Sequence, residues 1–268
     1  MLAVTQKLQP LMSEKKRQDN CQSKIILGMV MLLDEKSFDT KAFCSDFKDN
    51  YGQNFIEPSG DGLSFGFKID NELIVIGYIP HPIPKGDINR TAEYAYNWDT
   101  AKEDLKAHKS HLIVSIASIE QDQIKRFKIF TQVICSILRI TNSVGVYKGN
   151  QSLLIPKEDY LNEAELMNEE YLPLNIWIYF GYRVSEAGNS GYTYGLKEFN
   201  KNEMEIINSS KSIEQIRGFL FNMAHYVLDY NVIFKDGQTC GLLAEEKIAI
   251  TSSKGKFVEG DSLKFAYL

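Results

Sequence analysis

Two rhythms of hydrophobic positions alternate along this chain, and the switches between them outline its elements. Ile25–Leu33 is an unbroken apolar run of strand length. Phe38, Ala42, Phe43 and Phe47 then recur at helical spacing behind Ser37, a suitable N-cap, and Asn50-Tyr51-Gly52 ends that helix. Leu63–Ile69 and Leu73–Ile79 read as strands whose join, Asp70-Asn71-Glu72, is short enough for a hairpin. Alternating prolines make Pro80-His81-Pro82-Ile83-Pro84 a stiff extended connection. A helical region follows from Ile88 to Lys106, broken near Asp99, where Thr100-x-x-Glu103 has the form of a capping box. His111–Ala117 is a buried-type strand, Ile124–Ile140 a strongly periodic helix and Val144–Tyr147 a short strand.

From Gln151 onward the pattern predicts an acidic surface helix over Lys157–Asn168 and a long aromatic strand over Leu174–Tyr182. A loop at Gly188-Asn189-Ser190-Gly191 precedes short strands at Tyr192–Leu196 and Met204–Ile207. Ile213, Ile216, Leu220, Met223 and Val227 share one face of a helix from Ser212 to Tyr230. Asp236-Gly237 is a turn, and Leu242–Thr251 and Leu263–Tyr267 finish the chain as strands.

Strand, helix, two strands, helix, strand over residues 25–117 is the βαββαβ order of a ferredoxin-like α+β unit, with helices on one face of the sheet. The expected division is a polar leader over 1–22, a ferredoxin-like half with an extra helix and strand over 23–150, and a second α/β half with antiparallel strands over 151–268. No Gly/Ser/Pro linker separates the halves, so they pack together.

Composition narrows the partners. With 44% hydrophobic and 24% charged residues the chain is of globular type. A net charge of -5 gives no bulk reason to bind nucleic acid, and the densest basic cluster, Lys15-Lys16-Arg17, lies in the leader. No apolar run approaches the ~20 residues of a membrane span. The expectation is a cytoplasmic protein with no cofactor, nucleic acid or membrane partner. Cys21, Cys44, Cys135 and Cys240 form no CxxC pair and read as reduced thiols.

Candidate chemistry is sparse. His108 and His111 are three apart, but His108 belongs to a helix end and His111 to the next strand, so their bland reading outweighs a metal site. His81 in the proline run could face a cleft. His225 pairs with Asp229 one helical turn on. Glu203 and Glu205 flank Met204 and share a strand face ~7 Å apart, a spacing usable for acid/base work or a cation. The simpler reading is a solvated face with Met204 and Ile206 inward. The glycine segments match no phosphate-binding fingerprint, and the GxSxG elbow is absent. Neither catalytic nor metal residues are assigned. The aromatics Trp177, Tyr179, Phe180, Tyr182, Tyr192 and Tyr194 crowd one region, as interface residues do.

The ordered set Ile79–Pro84, Trp98, His108–Ser115, Gly145-Val146-Tyr147, Leu172-Pro173-Leu174, Trp177, Thr193–Phe199, Glu203–Ile206 and Asp236–Gly241 resembles the bacterial family called domain of unknown function 4261. Asn200 departs from the pattern, standing where glycine is expected. The resemblance implies a fold and a weak link to toxin–immunity and secretion loci, with no set activity. The leading expectation is therefore a non-catalytic protein-binding factor of immunity or secretion-accessory type. The alternative is an enzyme, small-ligand or metal-binding protein with a cleft between its halves. Candidate pocket or interface residues are His81, Trp98, His108, His111, Tyr192, Thr193, Tyr194, Glu203 and Glu205.

Overall fold

The computed structural model describes residues 25–36, 38–53, 55–117, 122–241 and 247–268. The leader, Ser37, Cys21 and the first residues of the expected strand at 242–251 lie outside them. The first sheet has seven strands: β1 (Ile26–Leu32), β2 (Ile56–Gly60), β3 (Ser64–Ile69), β4 (Glu72–Ile79), β5 (Ser110–Ala117), β6 (Ser143–Lys148) and β7 (Leu153–Pro156). They lie in the order β2-β3-β4-β5-β1-β6-β7, and every pairing is antiparallel.

The fold is α+β, but this strand order differs from the ferredoxin-like expectation. A ferredoxin-like unit sets its first strand beside its third. Here β5 separates β1 from β4, with Ile74 and Ile26 both opposite Ile116. The cause lies in the connection between β4 and β5. It folds back over one face of the sheet as α2 (Lys85–Ala92), α3 (Ala101–Asp104) and a 3-10 turn (Leu105–Ala107), so β5 returns beside its sequence neighbour. β6 then takes the other edge of β1.

Helix α1 (Thr40–Tyr51) is capped by Asp39, whose carboxylate accepts from the Lys41 and Ala42 amides, and it ends on left-handed Gly52. With α4 (Gln123–Ile140) it covers one face of the first sheet, burying Phe43, Phe47, Phe127 and Phe130. Against the opposite face, Ile83, Ile88, Trp98 and Leu105 pack on Met31, Tyr147 and Leu154. That second cover lies over the β1–β6–β7 end and reaches β5 at His111.

The expected Lys157–Asn168 helix is α5 (Lys157–Glu165). The second sheet comprises β8 (Tyr179–Ser185), β9 (Gly188–Tyr194), β10 (Met204–Ser209), β11 (Thr239–Cys240), β12 (Ile248–Lys254) and β13 (Asp261–Phe265), ordered β11-β12-β13-β10-β9-β8. Its pairings are antiparallel except β10 with β13. The expected glycine loop at 188–191 is instead the start of β9. Gly191 is there because α6 (Ile213–Asp229) presses Ile216 against the strand where a side chain would stand. The expected strand from Leu174 begins as a 3-10 turn over Leu174–Ile176. Asn200 adopts the left-handed conformation at φ 58°, which asparagine tolerates, so the turn forms without the glycine. One apolar core runs through both halves, and the Trp177 indole donates to Thr131 across them at 2.9 Å.

Candidate functional site

The histidines build a clamp. At the end of the 3-10 turn His108 is buried, its Nδ1 2.5 Å from the Leu105 carbonyl and its Nε2 2.9 Å from the Ile83 amide. The Ile83 N–H must donate, so Nε2 accepts and the proton sits on Nδ1. His111 Nδ1 lies 2.7 Å from the His81 carbonyl, and burial lowers the pKa of His111. Both side chains thus tie the proline run to the sheet. Trp98 is buried in the same apolar cover as Ile83, its indole donating to Asp104 at 2.7 Å. Thr100 also donates to Asp104, at 2.6 Å, so the expected capping box is replaced by a shared acceptor one turn on. His225 does pair with Asp229, at 3.1 Å, and its Nε2 accepts from the Leu172 amide.

The glutamates belong to the second sheet, and the expectation that they face solvent is overturned. Glu203 and Glu205 are both buried, as are Met204 and Ile206. Glu203 accepts from the Thr193 hydroxyl at 2.7 Å and from the Gly195 and Lys197 amides, fixing the turn after β9. Burial raises its pKa despite these bonds. Glu205 accepts from the Phe257 amide and the Ser262 hydroxyl, both at 2.6 Å, from the Lys256 amide, and from Lys264 at 2.8 Å. Burial opposes its ionisation, but these donors prevail and its pKa is lowered. Both carboxylates spend their acceptor capacity on the amides and side chains of neighbouring segments. Among the described residues no group of three or more His, Cys, Asp or Glu is arranged to hold a metal ion. Burial pushes the Cys135 thiol up to about 12, away from reactivity.

A different constellation forms a concave feature at the junction of the halves. Between α2 and α3 the chain passes through successive turns that carry Tyr94, Tyr96 and Trp98, and across from it stands β8, the edge strand of the second sheet. Together they enclose a cleft of about 530 Å³. Alternation along β8 puts Tyr179 and Arg183 on one face and Tyr182 on the other. Tyr96 contacts both Tyr179 and Tyr182, at 5.9 and 6.0 Å between centroids, so its ring sits at the strand's outer edge. The Arg183 guanidinium lies over the rings of Tyr94 and Tyr192, 5.6 and 5.8 Å from their centroids. The Tyr179 hydroxyl donates to the Tyr94 carbonyl at 3.2 Å, whereas the buried Tyr182 hydroxyl has no hydrogen-bond partner. Glu93, Asp99 and Lys102 form the polar rim.

Of the nine candidates, Trp98 lines this cleft and Tyr192 supports Arg183 from beneath. Tyr194, half-buried, pairs opposite Tyr179. The histidines and glutamates do not meet. Tyr94 and Tyr96 are absent from the candidates because the sequence pattern assigns their stretch to a helix. No periodic signal marks them, because successive turns rather than a regular element bring their side chains to the cleft.

The family model described as Domain of unknown function (DUF4261) matches residues 192–266, which supports assigning the chain to that family. The match covers the second sheet from β9 to β13, and the upstream pieces of the resemblance lie outside it. No curated protein and no solved structure matches the chain. Among the described residues no helix is long and apolar enough to cross a membrane.

Proposed function

We propose that this protein is a non-catalytic factor that binds another protein, of immunity or secretion-accessory type, and that it takes an extended segment of that partner at the junction cleft. One observation carries the reading: the outer edge of β8 has no strand partner among the described residues and borders a cleft walled by Tyr94, Tyr96, Tyr182 and Arg183. An extended peptide can add to such an edge through backbone hydrogen bonds while its side chains enter adjoining pockets. Tyrosine and arginine are the residues that carry binding energy in such contacts. Beyond Arg183 the strand is open, and Val184 is 77% exposed. The reading sets the protein in the bacterial cytoplasm, where thiols such as Cys44 and Cys135 stay reduced.

A small-ligand site is the second reading, favoured by the cleft's size and by the unpartnered Tyr182 hydroxyl. Selection from a displayed library of random linear peptides separates the two. The protein-binding reading expects enriched sequences that share a motif and lose affinity at least about 10-fold on Tyr96→Ala or Arg183→Ala, the scale of a 1.4 kcal/mol contact. A selection that yields no binder dependent on these two residues rejects it.

A further inference from the structure

We infer that the segment taken at the junction cleft is acidic, and that a carboxylate side chain of the incoming strand pairs with Arg183. The inference rests on the reading that β8 accepts an extended segment, and it names the chemistry of that segment.

A strand added to the outer edge of β8 sets one side chain directly opposite Arg183 and on the same face, where opposite charge is favoured and like charge is not. The inner neighbour supplies no such charge. Across β9, Arg183 is opposed by Ser190, which is buried and whose hydroxyl accepts from the Asn208 amide at 3.0 Å. Among the described residues no carboxylate stands within salt-bridge distance of Arg183. Glu93 is 3.8 Å from Lys102, Asp99 belongs to the facing chain, and Glu186 lies in the turn after β8.

The guanidinium is nonetheless held in place. It lies over the rings of Tyr94 and Tyr192, and its Nη1 donates to the Tyr182 carbonyl at 2.9 Å, which ties it to its own strand. Most of its N–H donors remain open in a fixed planar fork, the geometry that matches a carboxylate. Holding the fork before binding reduces the ordering cost of the pair.

A second arginine adds to the field from the other face. Arg217 of α6 follows Ile216, the residue that presses on β9 at Gly191, opposite Tyr182. Burial raises the pKa of the Tyr96 and Tyr182 hydroxyls, and the Arg217 charge acts against that rise at both. The whole chain carries a net charge of -5, yet this edge presents two arginines with no ion pair at either among the described residues. The next position of the incoming strand stands opposite Val184, an apolar side chain that is 77% exposed. The expected signature is therefore an Asp or Glu adjacent to an apolar residue.

Peptides enriched from the displayed library are the probes, made as fluorescent synthetic copies and measured by anisotropy against the full chain. The expected result is a shared acid beside an apolar residue, binding that weakens as salt rises, and a loss of about 5- to 10-fold when the acid is replaced by Asn or Gln. That replacement leaves the protein untouched, so a folding defect cannot imitate it. Arg183→Glu should invert the preference, binding a copy with Lys in place of the acid more tightly than the original peptide. Binders that depend on Tyr96 but tolerate the amide replacement overturn this inference and leave the peptide reading standing. An Arg183→Glu variant with the parental thermal midpoint and no gain for the lysine copy overturns it likewise. A selection with no binder dependent on Tyr96 or Arg183 rejects the peptide reading and this inference with it.

Discussion

The ring of Tyr192 fills the space that a side chain on Gly181 would need, the two residues being directly opposed across β8 and β9. The same ring stacks on Phe257 at 5.3 Å and lies under Arg183, so it links the second core to the cleft wall. Gly181→Ala forces the ring aside. The expected cost is about 1–3 kcal/mol, read in urea unfolding, as for other overpacked sites. Arg183 loses its platform in the same variant, so peptide affinity should fall although Gly181 itself is buried. Parental stability in the Gly181→Ala variant contradicts the packing.

Glu203 and Glu205, two residues apart, should respond to pH with opposite sign. The raised pKa of Glu203 means that its stabilising contribution is present at acid pH and lost as pH rises through the folded value. The lowered pKa of Glu205 means that its contribution is present above the unfolded carboxyl range and lost as pH falls through the folded value. Hence Glu205→Gln should cost more stability at pH 7 than at pH 4, and Glu203→Gln less. Urea unfolding at the two pH values measures both, and equal pH dependence for the two variants contradicts the assignment.

Lys148 is wholly buried, donates to the Ile176 carbonyl at 3.1 Å, and lies 4.7 Å from the centroid of Phe127. Burial lowers its pKa to about 7. The unfolded chain then holds more protons between about pH 7 and the ordinary lysine value near 10.4, so this group makes stability rise with pH across that window. Lys148→Met should flatten the rise and stabilise the protein at pH 6, against about 1 kcal/mol for the lost hydrogen bond. A variant that keeps the parental slope refutes the assignment.

Arg126 and Glu72 form a buried ion pair at 3.1 Å between α4 and the start of β4, and Arg126 also donates to the Ile116 carbonyl. Glu72→Ala strands a buried guanidinium and should cost about 3–5 kcal/mol. Replacing both residues by methionine should recover much of that loss, and a double-mutant cycle in urea tests it.

Long periodic elements were legible in the sequence. The α4 and α6 stripes appear within a residue or two, and the Asp70-Asn71 hairpin joins β3 to β4 as read. β2 was not legible, because all five of its residues are exposed and none alternates. Strand order escaped as well, since the sequence of elements does not say which edge β5 will take. Gly191 misled for a physical reason: its glycine answers to Ile216 on a helix distant in sequence, not to a local turn. The site was half legible. The aromatic crowding at Tyr179–Tyr194 marked one wall, and the wall bearing Tyr94 and Tyr96 was hidden by a helical reading.

Amide hydrogen exchange of the protein with and without a selected peptide tests the binding claim most directly. The account predicts slowed exchange along β8, at Tyr182–Ser185, and in the facing stretch from Tyr94 to Trp98. Unchanged exchange in both segments, with protection confined to another surface, contradicts it.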